Sequence, residues 1–243
     1  MKGDPPDVPL GTVFKGILPF VTGGIWRLFV LAFIPALVMF LPKTMRLENN
    51  RRIPVMAKTK PKIPEPEEML ARARSLVPVL RQRAEACEEA RRVPAETIAE
   101  MQAADVFKLC QPARYGGFEM GWDVACEASM TLSEGCGSQG WVATVLIEHA
   151  CIVGMFPSQA QDDVFGENPA ALVSSSYLPV GTVERVDGGY RLSGRYGFSS
   201  GVHHVQWAII GGLVAEEGDA PPTGLNFLVR ETDWTLVADW HVV

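Results

Sequence analysis

The hydrophobic period of the chain changes once, near residue 170, and that change restricts the fold more than any other feature. Before it, apolar residues recur at helical spacing. Met69, Ala73, Leu76, Val77 and Leu80 form one stripe, and Arg72, Arg74, Arg81, Arg83, Glu85, Glu88 and Glu89 surround it as a solvated face. Helices are predicted from Glu67 onward, over PAETIAEMQAADVF with Pro94 in its first turn, over 122–132, and over GWVATVLIEHACIVGMF, capped by Ser138 and closed by Pro157. Residues 111–117 read as a loop. After the change, segments 171–177, 182–186, 190–193, 207–214, 225–229 and 234–243 are rich in β-branched and aromatic residues, with Asp187-Gly188-Gly189 as a hairpin turn. Helices followed by strands and tight turns predict an α+β chain, with a helical domain at 56–166 and an antiparallel β domain at 167–243. The chain stops at DWHVV inside a predicted strand, so it reads as truncated.

The front of the chain is of another kind. Residues 17–41, ILPFVTGGIWRLFVLAFIPALVMFL, carry Arg27 as their only charge and are long enough to cross a hydrocarbon core. Pro19, Gly23, Gly24 and Pro35 disfavour a straight soluble helix but are tolerated in a membrane. Lys43, Arg46, Arg51 and Arg52 follow the run, so the positive-inside rule places its C-terminal side in the cytoplasm and predicts an inner-membrane anchor. Residues 1–45 resemble the C-terminal helix of the large permease subunit of TRAP-type dicarboxylate transporters. Residues 1–55 are therefore expected to be a permease tail joined to a second protein. Arginine codons at Arg51 and Arg52, written AGG-AGG, would form a ribosome-binding sequence ahead of Met56, which predicts that Met56 is the start of that second protein. A Lys/Pro linker follows it.

Composition narrows the function classes. The net charge of −6 argues against a non-specific nucleic-acid binder. Five cysteines with no Cys-x-x-Cys predict reduced thiols, which fits a cytoplasmic location for 56–243. No phosphate loop, dinucleotide fingerprint, His-Glu-x-x-His or nucleophile elbow is present, and no metal site is expected.

Three clusters remain. Trp141 and His149 lie eight residues apart on one helix, sharing a side with about 80° of drift. An aromatic plate with an imidazole about 12 Å along the axis suits a planar cofactor beside an ionisable substrate. The pair also reads as a core tryptophan and a satisfied histidine. Ser174, Ser175 and Ser176 fall in a hydrophobic strand, where alternation turns Ser175 away from its neighbours. Buried hydroxyls need partners, which a bound polar ligand would supply; an edge strand facing water would meet the same need. In Gly197-Phe198-Ser199-Ser200-Gly201, glycine on both sides permits close approach to a flat ligand, or a simple turn. His203 and His204 point to opposite faces of a strand and receive no role.

Taken together, PARYGGFE, GSQGWVATVLIEHA, SSSYLPVGTVERVDGGYRLSGRYGFSSGVHHVQWAIIGG and DWHVV resemble the oxygenase components of two-component flavin-dependent aromatic hydroxylases built on the acyl-CoA dehydrogenase fold. The resemblance covers essentially all of 56–243. It implies an acyl-CoA dehydrogenase-like helical domain, the β domain, and a C-terminal four-helix domain that is missing and would make a homotetramer. It further implies reduced FMN or FAD from a flavin reductase, molecular oxygen, and attack on a phenolic substrate through a C4a-hydroperoxyflavin. By position, Trp141 matches the residue beside the flavin ring, His149 and Ser175 the pair holding the phenol oxygen, and Ser200 the hydroxyl near flavin N5. Ser174, Ser176 and Phe198 join the cofactor-binding set. Tyr177-Leu178-Pro179 and Phe198-Ser199-Ser200 stand where acyl-CoA dehydrogenases proper carry Thr-Glu-Pro and Trp-Ile-Thr blocks. An acyl-CoA dehydrogenase, an oxidase of sulfur or nitrogen heterocycles, and an inactive fused fragment are the alternatives.

Overall fold

The computed structural model describes residues 63–239 other than 217 and 219. The membrane-like run at 17–41, the permease resemblance at 1–45 and the start at Met56 lie outside the described residues. Among those described, no helix is long and apolar enough to cross a membrane. Residues Lys58–Val243 form one compact unit.

Among the described residues, six α-helices precede the sheet. α1 spans Pro66–Gln82, with Pro66 in its opening turn and Glu67 and Glu68 against the positive end of the helix dipole. α2, Ala84–Ala90, follows directly; α3 is Ala95–Ala103. Pro94 is the N-cap residue of α3 and stands just before its first turn. The Arg83 guanidinium grips Glu100 of α3 through two bonds of 2.8 and 2.9 Å. α4, Trp122–Ser133, and α5, Gly137–Gly154, pack together. Cys136 holds the N-cap of α5 without a side-chain bond, and Ser138 lies inside the helix, so it does not cap it. α6, Ser158–Phe165, is a helix that the apolar periodicity does not announce, because SQAQDDVF is short and mostly polar.

α5 is apolar on nearly every side, the pattern of a helix enclosed by other elements. Leu146 and Ile147 enter one core with Met69, Leu80, Met101 and Leu132 from the helices. Ala150 and Val153, one turn further, enter a second core with Phe165, Val173 and Ile209. The helix therefore joins the helical layer to the sheet.

The sheet has five strands: β1 Val173–Ser176, β2 Thr182–Val186, β3 Gly189–Ser193, β4 Trp207–Val214 and β5 Thr223–Arg230. It is mixed, which corrects the expectation of an antiparallel domain. β2 with β3 and β4 with β5 are antiparallel. β1 runs parallel to β4, pairing Ser175 with Ile209, and β2 meets β4 in parallel at Val183 and Val214. The β2–β3 hairpin and the segment after it supply the long crossover that a parallel pair requires. Gly188, at φ +78°, makes the hairpin turn. No strand forms at 234–239: after β5 the chain makes one 3₁₀ turn, Glu231–Asp233, and Trp234 packs against the helical core instead of entering a ladder. Residues 240–243 lie outside the described residues.

Candidate active site

α5 presents Trp141 and His149 differently. Trp141 is 62% exposed, whereas His149 is 2% exposed. Two helical turns plus the angular drift carry the second residue off the surface and under β1. His149 Nδ1 contacts the Val145 carbonyl oxygen, an acceptor only, so Nδ1 carries the hydrogen and Nε2 keeps its lone pair. The Tyr177 hydroxyl donates to Nε2 at 3.2 Å. The two rings are nearly parallel, 7° apart, with centroids 6.0 Å from each other. Burial pushes the His149 pKa down, against the opposing pull of the Val145 carbonyl and of Glu148. The imidazole is thus a neutral acceptor at neutral pH.

β1 sorts its serines by alternation. Ser174 and Ser176 are buried on one face; Ser175 is half-buried on the other. Two residues beyond Ser175, Tyr177 shares its face of the strand. Burial pushes the Tyr177 pKa up, and Ser175 opposes that rise. Tyr177 thus joins His149 and Ser175 in one cluster, a role the sequence reading did not give it. The Ser-x-Tyr spacing on a strand was the available signal.

The buried serines find protein partners. Ser199 Oγ donates to Ser174 Oγ at 3.0 Å, and Ser176 Oγ donates to the Gly197 carbonyl at 2.8 Å. They tie β1 to the segment 197–201, so protein groups, rather than the bound ligand or the water that the sequence left open, satisfy them. That segment also seats on α5. Trp141 Nε1 donates to Ser200 Oγ at 3.0 Å, and Gly201, at φ +78°, lies so close that a Cβ there would stand 3.2 Å from Val142 Cγ1 and 3.5 Å from Leu146 Cδ2. Phe198 adopts φ +58° and is 88% exposed. Trp141 and Phe198 are therefore two exposed aromatic side chains linked through one short segment, with Ser200 two residues after Phe198 and hydrogen-bonded to Trp141. His204 donates from Nε2 to the Val93 carbonyl at 2.9 Å and does structural work away from this cluster. The five thiols are free, and burial pushes Cys87 to about 11 and Cys110 to about 12, too high for thiolate chemistry.

Residues 64–165 match the family of the acyl-CoA dehydrogenase N-terminal domain. The crystal structure of the HsaA monooxygenase from M. tuberculosis superposes with a TM-score of 0.71 at 36% identity, over 74% of this chain and 49% of that one. The chain has an acyl-CoA dehydrogenase-like fold. XiaF from Streptomyces sp., solved in complex with FADH2 and glycerol, shares this fold with a TM-score of 0.68 and 31% identity, over 73% of this chain and 45% of XiaF. The FADH2-dependent resorcinol hydroxylase oxygenase component of a Rhizobium species is 37% identical over 197 residues, 81% of this chain and 47% of that protein. The chain thus spans about half the length of the curated relatives it matches. Within the acyl-CoA dehydrogenase-like fold, the cluster of His149, Ser175 and Tyr177 sits where α5 meets β1, and the exposed Trp141 lies two turns back on α5.

Proposed function

We propose that this chain is the oxygenase component of a two-component flavin-dependent monooxygenase that hydroxylates a phenolic aromatic compound. The observation that carries the reading is the neutral, buried His149, whose Nε2 accepts a hydrogen bond from a phenolic hydroxyl, that of Tyr177. Tyr177 shows that a phenolic hydroxyl is a suitable donor to this nitrogen. The relatives named as FADH2-dependent and flavin-dependent oxygenase components support the same reaction class.

The residues fit a flavin. Trp141 and Phe198 offer exposed aromatic surface, and Ser200 Oγ, which accepts from Trp141, retains a hydrogen to donate. Trp141 and Phe198 would lie against the ring and Ser200 would meet its polar edge, with Ser174 and Ser176 holding the segment 197–201 in place. Reduced FMN or FAD, delivered by a separate flavin reductase, would supply the activation of dioxygen; one oxygen atom enters the substrate and the other leaves as water. His149 draws the proton from the substrate phenol, which raises electron density at the ring carbons ortho to oxygen. Ser175 orients the phenol oxygen. A homotetramer is part of the same proposal.

The test is isotopic. The full chain is given chemically reduced FMN or FAD, a phenol and isotopically heavy dioxygen. One heavy oxygen atom in an ortho-hydroxylated product is the expected result. Anaerobic conversion of an acyl-CoA to its enoyl form with oxidised flavin as the electron acceptor, and no labelled phenol product in the first assay, would overturn the proposal in favour of a dehydrogenase.

A further inference from the structure

His149 Nε2 has one lone pair, and solvent does not reach it: the side chain is 2% exposed and the Tyr177 hydroxyl stands on the nitrogen at 3.2 Å. Tyr177 itself is 43% exposed. Ser175 shares its face of the strand and opposes the rise of its pKa. Two links are set by geometry: Tyr177 Oη–H donates to His149 Nε2, and His149 Nδ1–H donates to the Val145 carbonyl. From α5, Glu148 is the charged group acting on both rings. On the β4 side the Tyr177 carbonyl abuts Gly211, which brings no charge. The Tyr177 hydroxyl therefore occupies the one acceptor position of the imidazole, and Tyr177 is the more exposed of the two residues.

We propose that Tyr177 is the proton relay between the phenolic substrate and His149. The inference rests on the phenol reading above and adds the path of the proton. The substrate O–H bond breaks and its proton bonds to Tyr177 Oη. In the same exchange the original Tyr177 O–H bond breaks and its proton bonds to His149 Nε2. Each oxygen keeps its electron pair, so the products are substrate phenolate and imidazolium, with Tyr177 neutral again and Nδ1–H untouched. No oxidant or reductant takes part.

The relay is tested by binding para-nitrophenol, whose phenolate absorbs visibly, to the full chain and to Tyr177→Phe and His149→Gln. Absorbance is followed against pH, and circular dichroism checks that each variant is folded. The relay predicts that the original chain ionises the bound probe at lower pH than free solution does. It predicts that both substitutions remove most of that gain, about tenfold in ionised fraction for each pKa unit lost. If Tyr177→Phe ionises the probe as well as or better than the original while His149→Gln fails, the phenol reaches Nε2 directly: the relay is overturned and the phenol reading stands. If the original chain does not bind and ionise the probe, both fall together.

Discussion

At the scale of single residues, the chemistry depends on His149 being neutral and on its one acceptor nitrogen pointing at a hydroxyl. The same burial that keeps it neutral makes a stability statement. Its folded pKa lies below the ordinary 6.5, and His204 is displaced the same way by burial. Between the depressed and ordinary values the unfolded chain binds more protons than the folded one, so stability is whole above 6.5 and is lost as pH falls through the folded values. The urea midpoint is accordingly expected to be lower at about pH 5.5 than at about pH 7.5, and His149→Gln to narrow the difference. An equal or higher midpoint at the acidic pH would mean that these imidazoles are not buried neutral. Tyr177 shows what a residue-level reading misses. The alternation of Ser174, Ser175 and Ser176 is visible in sequence because it is local. The meeting of Tyr177 with His149, 28 residues apart along the chain, depends on how α5 lies against β1.

At the scale of elements, the long amphipathic α1, the apolar α5 and the glycine-turned β2–β3 hairpin were all legible, since each announces itself by period or by turn chemistry. α6 was not, because SQAQDDVF has little apolar rhythm and is fixed by burying Val164 and Phe165. The parallel pairing of β1 with β4 was not either, since partner choice is set by long-range packing. The segment 197–201 deserves its glycines in different measure. At Gly197 a Cβ would meet nothing within 4 Å, but at Gly201 the positive φ and the contacts with Val142 and Leu146 leave no comfortable place for one. Gly201→Ala is therefore expected to lower stability by about 1–2 kcal/mol, from the left-handed backbone and the crowding against α5 together. Urea unfolding measures it, and an unchanged midpoint would show that the segment is not seated on the helix as described.

At the scale of the whole molecule, one helix does the organising. α5 lies in both cores, so the helical layer holds it rigid while the sheet brings β1 to its later turns and the segment 197–201 to its earlier ones. This arrangement puts the exposed tryptophan and the buried histidine on one rigid rod, the condition for holding a flat cofactor and a phenol at a fixed separation. The most direct measurement is a crystal structure of the full chain grown without oxygen in the presence of reduced flavin and a phenol. The account predicts the flavin ring against Trp141 and Phe198 beside Ser200, and the phenol oxygen within hydrogen-bonding reach of Tyr177 and Ser175. A flavin bound elsewhere, or a phenol that does not approach the His149 end of α5, would contradict it.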